Sequence, residues 1–103
     1  MEHEKETIEI EVIEIEVFAR EGKPVPKDKH YKIRVDKEIF VIHKPTITGR
    51  EILELVHKTP NVYNLYQHFH HGQTELIEPD RVVDLTAPGV ERFSTMKIEN
   101  TEG

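Results

Sequence analysis

Lys44-Pro45-Thr46-Ile47-Thr48-Gly49-Arg50-Glu51-Ile52-Leu53-Glu54-Leu55-Val56 is the stretch on which the fold turns. Thr48 stands where a helix N-cap belongs, and Glu51 follows three residues later, the spacing of a capping box. Ile47 ahead of the cap and Ile52 at the fourth helical position have the spacing of a hydrophobic staple. Ile52, Leu53 and Val56 share one face. His57 and Lys58 bring cations to the negative end of the helix dipole, and Pro60 ends the run. This predicts a helix over 49–57, the only convincing one in the chain. A helix of about two and a half turns is marginal in water by itself, so it must lie against a sheet.

The flanking sequence offers the strands. Tyr31-Lys32-Ile33-Arg34-Val35 alternates apolar and polar, Asp36-Lys37 reads as a turn, and Glu38-Ile39-Phe40-Val41-Ile42 completes a hairpin. After the helix, strands are predicted over 63–69 and 75–77, with His71-Gly72-Gln73 turning between them. Residues 82–85 read as an irregular or 3₁₀ segment, and a last strand covers 92–98. The order β-β-α-β-β-turn-β predicts an α+β fold, a β-grasp with a mixed sheet and one helix across it. Ile33, Phe40, Ile52, Leu53, Val56, Leu65, Phe69, Leu85 and Phe93 are the expected core.

Residues 1–29 are a different material. They hold nine acids against five bases, leaving −4 of the chain's net charge of −6. Residues 7–18 read T-I-E-I-E-V-I-E-I-E-V-F, alternating with a phase slip at Val12-Ile13. A continuous strand there needs a bulge near Val12. The plain alternative is a disordered acidic tail. Residues 20–29, with Gly22, Pro24 and Pro26, read as a linker. The expected organisation is therefore an acidic arm and linker over 1–29, a domain over 30–98 and a tail over 99–103. The arm is expected to pair with the domain's own edge or to drive self-association.

The acidic balance argues against nucleic acid as the main partner, because phosphate binding needs a cationic surface. There is no cysteine, so disulfides, thiol catalysis and thiolate metal sites are excluded. No apolar run has the length of a signal or membrane-spanning segment, and the expected location is the cytoplasm.

The domain resembles the bacterial multiubiquitin family, whose ubiquitin-like domains occur singly or in tandem. The resemblance rests on Tyr31-Lys32-Ile33-Arg34-Val35-Asp36, Phe40, the run from Lys44 to Leu53, and Leu65-Tyr66-Gln67 with Gly72-Gln73. Further along it rests on Val82-Val83-Asp84-Leu85, Pro88-Gly89-Val90-Glu91-Arg92-Phe93 and the terminal Thr101-Glu102-Gly103. The resemblance implies a protein modifier rather than an enzyme, handled by an activating enzyme, a conjugating enzyme and a JAMM-type metallopeptidase, and associated with defence against phage. Gly103 would be the conjugated residue, with Thr101 and Glu102 in the tail leading to it. The tail has one glycine where the eukaryotic tail has two.

Steric reasoning points the same way. An activating enzyme must take a carboxylate through a narrow channel, and a residue without Cβ lets backbone pass; a frayed terminus is the plain alternative. His68 and His70 are expected on one strand face. Two imidazoles at i, i+2 can bind zinc, but no carboxylate or cysteine is fixed beside them, so neither a metal nor a cofactor is expected. With Tyr66 they are candidate docking residues by analogy of fold. Lys32, Lys37, Lys44, Lys58 and Lys97 are solvated charges or acceptors for a second copy. Two further readings stand beside the modifier. One is a sulfur carrier using a C-terminal thiocarboxylate; the other is a non-conjugated interaction domain with an idle tail.

Overall fold

The computed structural model describes residues 10–99. Its centre is the predicted hairpin. β2 (His30–Val35) and β3 (Glu38–Ile42) pair antiparallel, with Val35 opposite Glu38. Asp36 makes the turn with φ at 57°, a left-handed conformation that aspartate adopts more readily than most residues. Tyr31, Ile33 and Val35 are buried on one face of β2, as alternation requires.

The helix α2 (Gly49–Leu55) crosses that face. Thr48 accepts the Glu51 backbone N–H at 3.2 Å, and Glu51 accepts the Thr48 N–H at 2.9 Å, so the capping box is complete. Ile47, Ile52 and Leu53 are buried beneath it. The helix is shorter than the 49–57 expected. Its last turn is closed by the Lys58 N–H donating to the Leu53 carbonyl, with His57 left-handed at φ 59°. His57 and Lys58 thus lie past the helix end, and Lys58 turns toward the sheet.

Thr46–Thr48 forms the short strand β4, which pairs antiparallel with β7 (Val82–Asp84). The segment at 82–85 expected to be irregular or 3₁₀ is therefore largely strand, and Val83 and Leu85 enter the core from it. β5 (Tyr63–Phe69) and β6 (Thr74–Ile77) form the second hairpin, and β8 (Val90–Lys97) returns between β2 and β5. The strand order β3-β2-β8-β5-β6, with the helix on one face, is the expected ubiquitin-like α+β arrangement.

The N-terminal region departs from expectation. Within the described residues only Val12–Glu14 is strand (β1), parallel to the start of β2 with Ile13 opposite Tyr31. Ile15–Glu21 is a second helix, α1. The long strand over 7–18 and its bulge are therefore corrected; the part of that expectation before Ile10 lies outside the described residues. The cause is that Ile15, Phe18 and Ala19 follow helical spacing. Gly22 then caps α1 in the left-handed region (φ 67°), with the Lys23 N–H reaching the Phe18 carbonyl.

β1 and α1 are not a detached arm. β2 and β8 are parallel neighbours, yet their ladder has a single residue pair, Val35 opposite Phe93. Upstream of that pair β1 takes the edge of β2, and α1 packs on β2 and β8. The central strands open as a fork, and the N-terminal segment fills it. Ile13 and Ile15 are fully buried in the same core as Ile33, Leu65 and Phe93. The boundary expected at residues 29–30 therefore cuts through one core. Of the expected core, Phe40, Val56 and Phe69 are only half-buried, because each sits near the rim of the helix-covered face.

Candidate functional site

Among the described residues, the β5–β6 side of the sheet face opposite α2 is left uncovered, with Leu76 and Met96 exposed on it. Along β5, Leu65 and Gln67 are buried toward the helix, so Asn64, Tyr66 and His68 project from the other side. By register Tyr66 lies between Leu76 and Ser94, Asn64 faces Met96, and His68 lies between Thr74 and Arg92. Leu76 and Met96 are 44% and 63% exposed. Together with Tyr66 they make a small apolar patch, bordered by Arg92 and His68. Leu76 and Met96 were not singled out from sequence. Their parity with Tyr66, two strands of alternation away, was the available signal.

His68 is held on both ring nitrogens: Nε2 lies 2.7 Å from Ser94 Oγ and Nδ1 lies 3.4 Å from Thr74 Oγ1. Desolvation, reinforced by the Arg92 guanidinium, pushes its pKa below the ordinary histidine value, while Glu91 opposes this. The ring is therefore neutral at pH 7. His70 lies just past the end of the strand. β5 ends at Phe69 after an irregularity between His68 and Phe69, and His70 Nδ1 sits 3.4 Å from Glu91 Oε2. The strand on which the two histidines were expected to share a face thus ends one residue before His70. Among the described residues no group of three or more histidines, cysteines or carboxylates is placed to hold a metal ion.

α1 adds an ion network to the border of this face. Glu16 accepts from Arg20 at 2.8 Å and from Arg34 at 2.9 Å, and Glu91 lies 3.9 Å from Arg20. Burial works to raise the Glu16 carboxyl, but the two guanidinium groups outweigh it and hold it below the usual range.

The lysines differ in availability. Lys58 donates to Thr95 and Asp36, Lys44 to Glu51, and Lys32 lies 3.8 Å from Glu14. Lys37 and Lys97 have no ion-pair partner among the described residues. The expected tail residues Thr101, Glu102 and Gly103 lie outside the described residues. Its root is fixed: the Ile98 N–H donates to the Val62 carbonyl at 2.8 Å. Val62, Met96 and Ile98 are all partly exposed there.

With this fold in view, the family model that matches is informative. Multiubiquitin matches residues 31–98, about two thirds of the chain. The chain belongs to the multiubiquitin family. No curated protein and no solved structure matches it. The multiubiquitin match begins at Tyr31, the first fully buried residue of β2, and runs to Ile98, where the tail leaves the sheet. β1 and α1 lie outside the matched region, although Ile13 and Ile15 complete the core of this multiubiquitin domain. Among the described residues no helix is long and apolar enough to cross a membrane.

Proposed function

We propose that this multiubiquitin-family protein is a ubiquitin-like modifier, a substrate of conjugating machinery rather than an enzyme. The observation that carries the reading is the family match over 31–98 on a β-grasp sheet whose last strand leads out at Ile98 toward Gly103. In the proposed sequence the Gly103 carboxylate attacks ATP and becomes an acyl adenylate, releasing pyrophosphate. An enzyme thiol displaces AMP to give a thioester. A target amine then displaces the thiol to form an amide.

The open sheet face around Tyr66, bordered by His68 and with His70 beyond it, is the docking surface for the activating and conjugating enzymes. A JAMM-type metallopeptidase would reverse the linkage, and the setting is cytoplasmic, in antiviral defence. Lys37 and Lys97 are the freest acceptors for a second copy.

From Ile98 to Gly103 the chain can extend about 16 Å, enough to carry a carboxylate into another protein's site. The test is reconstitution with the cognate activating enzyme, ATP and a thiol-bearing partner, followed by intact mass. A reducible adduct with the wild-type chain, lost in Gly103→Phe while the fold persists, supports the reading. Adducts formed by Gly103→Phe at the wild-type rate overturn it in favour of an interaction domain with an idle tail. A mass gain of sulfur in place of oxygen on adding sulfide indicates a carrier.

A further inference from the structure

β3 is an open edge. It pairs with β2 on one side, and among the described residues no strand pairs its other side. Nothing blunts it between Ile39 and Ile42: there is no proline or lysine in that stretch, and Ile39 and Val41 are 47% and 41% exposed. Beside the edge, between β3 and α2, runs a groove of about 440 Å³. Ile42, Ile47 and Leu55 form its apolar wall, with Lys44, Glu51 and Glu54 on its rim. An edge with free backbone groups next to an apolar groove is built to take an added strand.

The chain carries a segment of matching sequence. Residues 7–10 read Thr-Ile-Glu-Ile, continuing the alternation that leads into β1. β1 is paired along its whole length, Val12 to Glu14, and just upstream the His30 N–H donates to the Glu11 carbonyl at 3.1 Å; β2 begins at His30, so among the described residues it offers Ile10 no partner. Ile10 is consequently 46% exposed. The chain's own β3 is out of reach. A strand added there lies three strand spacings from β1, about 14 Å. Ile10, which must also lie over the groove, is only two residues from Val12 at the start of β1, a span of about 7 Å.

We infer that residues 7–10 of a second copy add to the outer edge of β3, with Ile8 and Ile10 over the α2–β3 groove, and that the exchange is reciprocal. Reciprocity gives a closed two-fold dimer rather than a fibre. The rim is mixed, His43 and Lys44 against Glu51 and Glu54, and the added strand carries Glu9. The pairing therefore rests on backbone hydrogen bonds and apolar contact, and it strengthens with salt as the acidic repulsion is screened. It does not depend on Gly103 or on conjugation.

Sedimentation of the 103-residue chain over a concentration series tests this. The expected result is a shift toward twice the 12.1 kDa monomer mass. Ile8→Glu spoils the strand and Leu55→Glu spoils the groove, so each alone stays monomeric. Mixed together they form a heterodimer, because one intact strand meets one intact groove. Amide exchange in β3 of the wild-type chain gives a readout independent of the variants: protection of its outward N–H groups should fall on dilution. Dimers of Ile8→Glu equal to wild type, failure of two folded variants to associate on mixing, or β3 exchange insensitive to dilution would each overturn the inference. A wild-type chain that is monomeric throughout would do so as well, and would leave the groove to a foreign peptide.

Discussion

Thr95 donates its backbone N–H to Asp36 Oδ1 at 2.8 Å, joining residues 59 apart in sequence. The Thr95 hydroxyl donates to Asp36 Oδ2 at 2.7 Å, and Lys58 Nζ donates to the same Thr95 oxygen at 2.7 Å and to Asp36 at 3.2 Å. One carboxylate thus ties the hairpin turn, the exit of α2 and β8 together where the β2–β8 ladder is only one pair long. Asp36→Ala should cost about 1.5–3 kcal/mol, the range for hydrogen bonds to a charged group, measured as a lower urea midpoint.

The same clamp sets an acid dependence. Burial pushes the Asp36 carboxyl up, but the Thr95 and Lys58 bonds outweigh it and hold its pKa below the ordinary 3.8. A lowered folded value means that the stabilisation is full above 3.8 and is lost as pH falls through the folded value. Glu16 and Asp84 are lowered too and add the same sign. Urea midpoints measured between about pH 5 and pH 2 should fall steadily for wild type and less steeply for Asp36→Asn. Equal slopes would remove Asp36 from the account.

Gly49 opens α2 against the β6–β7 connection. A Cβ there would lie 2.6 Å from the Glu78 carbonyl oxygen and 3.1 Å from Ile77 Cγ2. The first obstacle is backbone and cannot rotate away. Gly49→Ala should therefore destabilise by about 1–3 kcal/mol, as overpacking does, despite alanine's better helix propensity. A thermal midpoint unchanged or raised would show that propensity wins at this position.

The helix and its cap were legible because the signal is local: Thr48 and Glu51 need only each other. The strands were legible from alternation, and β5 was read to the residue. The N-terminal element was misread for a physical reason. Ile13, Ile15 and Val17 satisfy a period of two, while Ile15, Phe18 and Ala19 satisfy a helical period. What decides between them is the fork between β2 and β8, a tertiary feature that no short window contains. Phe40 alternates correctly and so reads as central, but β3 is an edge strand, so the side chain is only partly covered. Tyr66 and His68 share a face by parity, whereas the irregularity after His68 and the end of β5 at Phe69 are features that parity cannot anticipate.

Burial turns that correction into a measurement. Ile15 is fully buried in the fork, so Ile15→Ala should cost about 2–5 kcal/mol. Phe40→Ala, half-buried, should fall at or below the low end of the roughly 3–5 kcal/mol typical of a core phenylalanine. A chain starting at Lys29 loses Ile13, Ile15 and Ala19 together and should fail to fold cooperatively. If that shortened chain instead melts as sharply and as high as the full one, β1 and α1 are an ornament on an independent domain.

The sheet face yields the last prediction. Tyr66, Leu76 and Met96 present apolar surface without holding up the core, since Leu65 and Gln67 fill the buried side of β5. Tyr66→Glu should leave the urea midpoint nearly unchanged and sharply slow adenylate formation in the reconstituted reaction. A charge at the centre of an apolar contact removes a buried anchor and leaves an unpaired carboxylate; truncating such an anchor alone costs about 2 kcal/mol or more. Ile39→Glu is the control: it lies on the same sheet face but on β3, with β2 and β8 between it and Tyr66. It should leave the reaction at the wild-type rate. His68→Gln should behave like wild type at pH 7, where the ring is neutral, and should flatten the loss of rate on acidification, because protonated His68 adds charge beside Arg92. Equal slowing by Tyr66→Glu and Ile39→Glu would point to a general charge effect and remove the β5 face from the docking surface.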